Sequence, residues 1–413
     1  MATLLKAPVF KRADLAKRLA DNILQTSVGS AAASGLFLAA PRRTGKSTFL
    51  REDLRPELQR RNVLPLYVDL WADKKADPGD VIVNAVRSEL SKHAGVVAKL
   101  AKSAGMEKVA VGGMTFSTDR VGLGTEVSLS TALAALSAEV KQPIVLLIDE
   151  AQHAITTQNG YDALFALKAA RDELNSSVHH GLRVVATGSN RDKLAMLRNS
   201  KDQAFFSAPL VSFPVLGSDY VAWFCAGVNL PAALDPKHVE ALFLRASSRP
   251  EILGAAADAV RFDLTLPACE VPARFAETVE EQIRGADHES LRLIHSLTPL
   301  QSAVLRVLAA HGSSYAPFEP PTLDAYRAAL HSIEGHGKTR LDTSSVQQAL
   351  LALQEKTLVW RETRGVYALE EATTLTLLTS EGLLDGVPTR VTKKAAASAV
   401  PHAVPAATGK SKR

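Results

Sequence analysis

The 413 residues are 46% hydrophobic and 22% charged, enough to bury a sizeable core and too many for one compact domain, so two or three domains are expected. The 48 bases and 43 acids leave a formal charge of +5, but six bases and no acid follow Asp385, so the body without them carries −1 and composition alone does not make it a nucleic-acid-binding surface. Two cysteines, Cys225 and Cys269, exclude a disulfide framework and have no zinc-type spacing; no apolar run approaches the roughly 20 residues that cross a bilayer, and no signal peptide is recognisable, so a cytoplasmic protein is expected.

In chain order, residues 11–24 place Leu15, Leu19, Ile23 and Leu24 at helical spacing, and Gly35–Ala40 is short enough to be a buried strand. Four more strand-like runs follow, Val63–Leu70, Ile144–Ile148, Leu182–Thr187 and Pro209–Phe213, separated by helical stretches at Asp80–His93, Ser130–Val140 and Tyr161–Leu174. Alternating strands and helices predict an α/β fold with a mainly parallel sheet covered on both faces. Val109–Ser117 reads as an inserted β-hairpin, either an interaction device or a solvated insertion.

After about residue 218 helices dominate. Asp235–Pro236 opens one through Leu244 and Arg249–Pro250 another through Val260, as an N-cap followed by a first-turn proline predicts. Helices at Pro299–His311, Leu323–Ile333 and Ser344–Lys356, then short strands at Leu358–Glu362 and Gly365–Leu369, describe a winged helix-turn-helix. The expected division is an α/β domain at 1–217, a helical lid at 218–289, a winged helix at 290–380 and a disordered basic tail at 381–413.

The sharpest signal is Ala40-Pro41-Arg42-Arg43-Thr44-Gly45-Lys46-Ser47-Thr48, between an apolar strand and a helix starting near Lys46, the context of a phosphate-binding loop. Loop and helix N–H groups face the phosphates, and the helix dipole favours their charge. Lys46 is placed to pair with the β/γ oxygens and Ser47 to offer its hydroxyl to Mg²⁺. Gly45 permits close backbone approach; the first position, usually glycine, is Ala40, which costs little unless that position needs φ > 0. About 100 residues on, the strand Ile144–Ile148 ends in Asp149 and Glu150. Asp149 is expected to hold the Mg²⁺ hydration shell and Glu150 to act as general base on the attacking water, which points to hydrolysis rather than binding alone. After Leu182–Thr187, Ser189 or Asn190 either orients that water or belongs to a plain turn.

Together these residues resemble the AAA+ ATPases, and APRRTGKST is most similar to the G-P-R-R-x-G-K-S/T loop of the archaeal-type ATPases and their relatives among STAND NTPases and origin-recognition initiators. The resemblance covers roughly residues 8–370, including Phe10-x-Arg12, the loop, IVLLIDEAQHA, VVATGSN, a helical lid and the winged helix. It implies ATP as the nucleotide, in keeping with the lack of an N-K-x-D guanine motif. It also implies Asn190 as polar sensor, Arg249 of SSRPEIL as second sensor near the γ-phosphate, and Arg198 as the nearest candidate for an arginine given to a neighbouring subunit. The family's pLyGR arginine is absent, since the chain reads SAPLVSFP, which leaves an obligate ring open although a homo-oligomer is expected. Residues 1–62 hold twelve bases against five acids, in keeping with an anion site.

DNA recognition is balanced against protein docking. The third helix of the winged unit opens with Asp342, Thr343, Ser344, Ser345, Gln347 and Gln348, hydrogen-bonding residues without a base before Lys356; Lys338, Arg340, Arg361 and Arg364 lie nearby. Acids and bases are equal in number from 290 to 371, and the tail either adds sequence-independent affinity for polyanions or only solubility. The sequence therefore predicts a Mg²⁺-dependent ATPase that couples nucleotide state to partner binding. It is either a DNA-associated initiator-like protein or a STAND-like signalling or assembly switch that binds protein.

Overall fold

A computed structural model describes residues 8–25, 31–93, 128–176, 179–189, 191–199, 203–335, 341–363 and 366–388. The hairpin expected at 109–117, Asn190, Lys338, Arg340, Arg364 and the bases from Arg390 onward lie outside them. The chain divides into two units, residues 1–293 with 371–373, and residues 294–370 with 374–413.

In the first unit each of the five apolar runs forms a strand: β1 (Leu36–Ala39), β2 (Leu64–Asp69), β3 (Ile144–Asp149), β4 (Leu182–Gly188) and β5 (Leu210–Ser212). All pair in parallel, in the order β2-β3-β4-β1-β5. Every residue of β3 is buried. Helices cover both faces of such a sheet, which is why IVLLI is a continuous apolar run and not an alternating one.

Helix α1 (Ala13–Leu24) buries Ala16, Ala20 and Ile23 with Leu38, Val145, Leu147 and Val185 of the sheet. The same cluster takes Phe49, Leu50, Leu54 and Leu58 from α2 (Lys46–Phe49), the π-helical turn Leu50–Leu54 and α3 (Arg55–Arg60), which run on from one another. Helices α4 (Pro78–Leu90), α5 (Leu129–Val140) and α6 (Gln158–Leu174) start at side-chain caps, Asp77, Ser128 and Thr157, each accepting a backbone N–H of the first turn. Helix α7 (Arg191–Met196) follows β4.

The carboxyl ends of the strands lie level: Asp69 is opposite Asp149, and Ala39 is opposite Gly188 on one side and Ser212 on the other. The chain leaves β1 for the far edge strand β2, then returns through β3 and β4, so a crossover reverses direction at β1. Open parallel sheets bind ligands outside this edge at such a reversal.

Helices α8 (Ser218–Gly227), α9 (Pro236–Arg245), α10 (Pro250–Phe262) and α11 (Val271–His295) follow. Asp235 caps α9 as its sequence predicts, accepting from the N–H groups of Lys237 and His238. Their core joins Tyr220, Val239, Phe243, Leu253 and Ala257 to Val271, Phe275 and Val279. Those last three recur every four residues and hold the 25-residue α11 in place through its first third.

The second unit holds α12 (Pro299–His311), α13 (Pro320–Glu334) and α14 (Thr343–Glu355), then the antiparallel hairpin β6 (Val359–Thr363) and β7 (Val366–Leu369), then α15 (Ala372–Ser380). Capping boxes, Thr298 with Gln301 and Asp342 with Ser345, open α12 and α14. Residues 381–386, placed by sequence in the tail, form turns, and the Pro388 carbonyl lies 2.9 Å from His311 Nε2. Among the described residues no helix is long and apolar enough to cross a membrane.

Candidate active site

Gly45 adopts φ +86° and caps α2, a left-handed conformation that side-chain-bearing residues disfavour. Arg43 also lies in the left-handed region, at φ +61°, whereas Ala40 has no positive φ, so the backbone does not require a glycine at the head of the loop. Pro41 is exposed, while Thr44 is fully buried and donates to the Pro41 carbonyl at 2.8 Å. Lys46 is also buried, and its Nζ donates to the carbonyls of Ala40 and Pro41, both at 2.7 Å. Burial pulls the Lys46 ammonium below the ordinary lysine range, opposed by the charges of Glu150 and Asp149 and reinforced by Arg42. Ser47 and Thr48 follow in the first turn of α2, both half-buried.

The two carboxylates that end β3 differ in every respect that matters. Asp149 is 1% exposed. Its Oδ1 accepts from the Thr187 hydroxyl and from the Glu150 N–H at 3.2 Å, and its Oδ2 accepts from the Tyr67 hydroxyl at 3.1 Å. Burial, then the charge of Asp149, raises the Tyr67 phenol far above its ordinary value, so it stays a donor. Glu150 is half-buried with φ +52°, and its Oε2 accepts from Gln152 Nε2 at 2.5 Å and from the Ser189 hydroxyl at 3.0 Å. Arg42 Nε donates to the same Ser189 oxygen at 3.4 Å, joining the Ala40–Thr48 loop to the Glu150 carboxylate. Beyond β2, Trp71 stacks on His153 with ring centres 4.1 Å apart and lies 5.4 Å from the Arg42 guanidinium.

Arg249 stands at the N-cap of α10 and donates to the Ala246 carbonyl at 3.3 Å. Its Nε is 3.9 Å from Glu251 Oε1, and Arg43 Nη1 approaches the same oxygen at 4.0 Å. The SSRPEIL segment therefore faces the loop through Glu251, whose carboxyl is raised mainly by burial. Arg198 lies elsewhere, bonded to the Ala208 carbonyl and to Asn199 Oδ1 in the β4–β5 connection. Phe10 packs on Tyr220 and Trp223, and Arg12 donates to the Pro214 carbonyl at 2.8 Å with its guanidinium 4.9 Å from the Phe213 ring. The Phe-x-Arg segment thus fastens the chain start to the entry of α8.

Lys46, Asp149, Glu150 and Ser189 meet at the carboxyl edge of β1, β3 and β4. Sequence reasoning missed Tyr67, Thr187, Gln152 and Glu251. A threonine closing LRVVAT and a glutamine within DEAQHA were the available signals, each a polar residue beside an apolar strand. The Ser47 hydroxyl and the Asp149 carboxylate are hard oxygen donors that suit Mg²⁺. Among the described residues no group of three or more His, Cys, Asp or Glu forms a protein cage for a metal. That sparse donor set fits an ion held largely by a ligand's phosphates.

No family model matches the chain, and no curated protein does. Among solved structures, the Aeropyrum pernix ORC2 protein in its ADP form aligns over 93% of this chain and 96% of its own, with 13% identity and a TM-score of 0.51. A Walker-type ATPase of Pyrococcus abyssi aligns over 90% and 98%, with 17% identity and a TM-score of 0.48. At such identities the ORC2 likeness speaks to fold alone: with the strand order described above, it shows an α/β fold built on a parallel five-stranded sheet.

Proposed function

We propose that the protein is a Mg²⁺-dependent ATPase that couples its nucleotide state to the binding of a partner. The observation that carries this reading is the convergence of Lys46, Asp149 and Glu150 at the carboxyl edge of β1 and β3, with Lys46 charged against both carboxylates. The N–H groups around Gly45 and the Lys46 ammonium bind the phosphates, whose arrival draws Nζ away from the two loop carbonyls it now holds. Ser47 would offer its hydroxyl to Mg²⁺ and Asp149 would hold the ion's hydration shell, and the ion would supply charge neutralisation at the transferred phosphoryl group. Glu150 takes a proton from the attacking water as general base. Asn190 takes the part of polar sensor that the family resemblance implies, and Arg249 senses the γ-phosphate from the head of α10. Arg198 is the residue offered to a neighbouring copy in a homo-oligomer. The missing guanine motif favours ATP.

Phosphate release and nucleotide binding by three proteins test this. Lys46→Ala is expected to lose binding. Glu150→Gln is expected to bind ATP and lose turnover by roughly 10²- to 10⁴-fold, the ordinary contribution of a general base. Unchanged hydrolysis by Glu150→Gln removes that residue from its role.

The second unit, with its three helices and hairpin, is read as a winged helix that holds the partner. Thr343, Ser344, Gln347 and Gln348 are exposed along α14 and suit duplex DNA. A protein partner in a signalling or assembly switch is the second reading, favoured by one observation: Asp342 and Ser345 are spent on capping α14 and are withdrawn from base contact. Salt-dependent binding to duplex DNA, with and without residues 386–413, separates the two. No binding by either form ends the DNA reading.

A further inference from the structure

We propose that Gln152 is a positioning residue that sets the orientation of the Glu150 carboxylate for catalysis; the inference rests on the hydrolytic role of Glu150 given above. The left-handed backbone at Glu150 turns the chain out of β3 into the 3₁₀ turn Ala151–Thr156, which brings Gln152 back beside the carboxylate two residues before it. There its Nε2 donates to Glu150 Oε2 at 2.5 Å, and the Ser189 hydroxyl donates to the same oxygen at 3.0 Å. Both donors engage one carboxylate oxygen. Among the described residues Glu150 Oε1 makes no hydrogen bond, which leaves it as the oxygen that accepts the proton. A carboxylate can only accept, so the nitrogen end of the amide is the end that faces it.

Gln152 does not repay its burial as a structural residue. It is 0% exposed, and its own Oε1 is buried without a hydrogen-bond partner among the described residues. A buried amide oxygen without a donor costs stability, and an apolar residue of the same shape would avoid that cost. The amide is also held from behind. A Cβ built on Gly188 would stand 2.4 Å from Gln152 Oε1, so the β4 backbone lies hard against the side chain and leaves it little freedom. Besides a long contact of Nε2 to Ser189 Oγ at 3.5 Å, what remains to account for a glutamine at this position is the donor it aims at Glu150.

The test compares Gln152→Leu, which removes the donor, with Gln152→Glu, which keeps the shape and sets an acceptor against the carboxylate. Steady-state kcat and KM, ATP affinity and Tm are measured for each beside the parent and Glu150→Gln. Misorienting a reacting group by an ångström costs on the order of 100-fold, so kcat is expected to fall about 10- to 100-fold in Gln152→Leu and further in Gln152→Glu. ATP affinity stays within about twofold in both, and the Tm of Gln152→Leu does not fall, a split that a merely structural glutamine would not produce. Ser189→Ala, which removes the second donor, gives a smaller loss of kcat. Should Gln152→Leu fail to fold, the isosteric Gln152→Glu carries the comparison. If both keep kcat within about twofold of the parent while Glu150→Gln is inactive, the positioning role is overturned and the hydrolytic reading stands. Loss of kcat, affinity and Tm in step also overturns it. A parent protein that hydrolyses no ATP overturns both.

Discussion

The carboxyl edge of the parallel sheet and the exposed face of α14 are both marked by hydrogen-bonding side chains, and the fold uses them in opposite ways. At the sheet edge the Tyr67 and Thr187 hydroxyls bond Asp149 across 82 and 38 residues of chain, and Ser189 bonds Glu150 across 39, in a largely buried cluster beside Lys46. On α14 the strongest polar contacts are local, Asp342 to Ser345, and the rest face solvent. Gathering distant polar groups costs chain entropy and desolvation, which a cap three residues long avoids. The difference teaches that polar groups joined over long separations at a strand edge point to chemistry, while polar groups joined over one helical turn point first to stability.

That contrast can be broken or sharpened by substitution. The largest effect is expected at Asp149→Ala, which leaves the Tyr67 and Thr187 hydroxyls without their acceptor; turnover falls at least about 100-fold and stability by ~1–3 kcal/mol, read by phosphate release and urea unfolding. Gly188→Ala comes next. Its Cβ would meet Leu194 Cγ at 2.7 Å as well as the Gln152 amide, and such overpacking costs ~1–3 kcal/mol, seen as a lower unfolding midpoint. Gly45→Ala forces a side chain into a left-handed conformation at a cost of about 1–2 kcal/mol, while space is not the obstacle, since the nearest atom to the new Cβ is Leu216 Cδ1 at 3.8 Å. Thermal unfolding without nucleotide isolates that strain. The smallest effect is expected at Asp342→Ala, about 1 kcal/mol of lost capping with ATP turnover unchanged. A fall in turnover at Asp342→Ala comparable to that at Asp149→Ala would erase the distinction between the two regions.

The strands were legible because each is an apolar run of strand length with a polar terminus, and the structure moves their ends by a residue or two. Helix starts at Asp235, Arg249 and Pro299 were legible because a cap and a proline are local signals. Helix α11 was not, because Pro272 and Gly285 interrupt the pattern and its fully buried contacts with the helical core lie in its first third. Helix α8 was missed as well; its mixture of aromatic, small and polar residues lacks a clear period. At the site, Lys46, Asp149 and Glu150 were singled out by local motifs, a GKS turn at a helix start and paired carboxylates at a strand end, and the fold brings them to one edge of the sheet. Tyr67, Thr187 and Gln152 were not, since their importance lies in the atoms they face across the sheet edge. Glu251 was hidden for the same reason: only the fold brings Arg43 and Arg249 to either side of it.

The stack of Trp71 on His153, within reach of Arg42, has a practical consequence. The protein has three tryptophans, and they report on different places: Trp223 packs on Phe10 and Tyr220, and Trp360 belongs to the hairpin of the second unit. Trp71, 5.4 Å from the Arg42 guanidinium, borders the Ala40–Thr48 loop. With Trp223 and Trp360 replaced by phenylalanine, its emission becomes an intrinsic optical gauge of the loop, since a shift of the Arg42 guanidinium or of the imidazole alters quenching of the indole. Stopped-flow mixing with ATP can then time the loop's response without an attached dye, and the same trace in Glu150→Gln separates the binding step from the hydrolytic one.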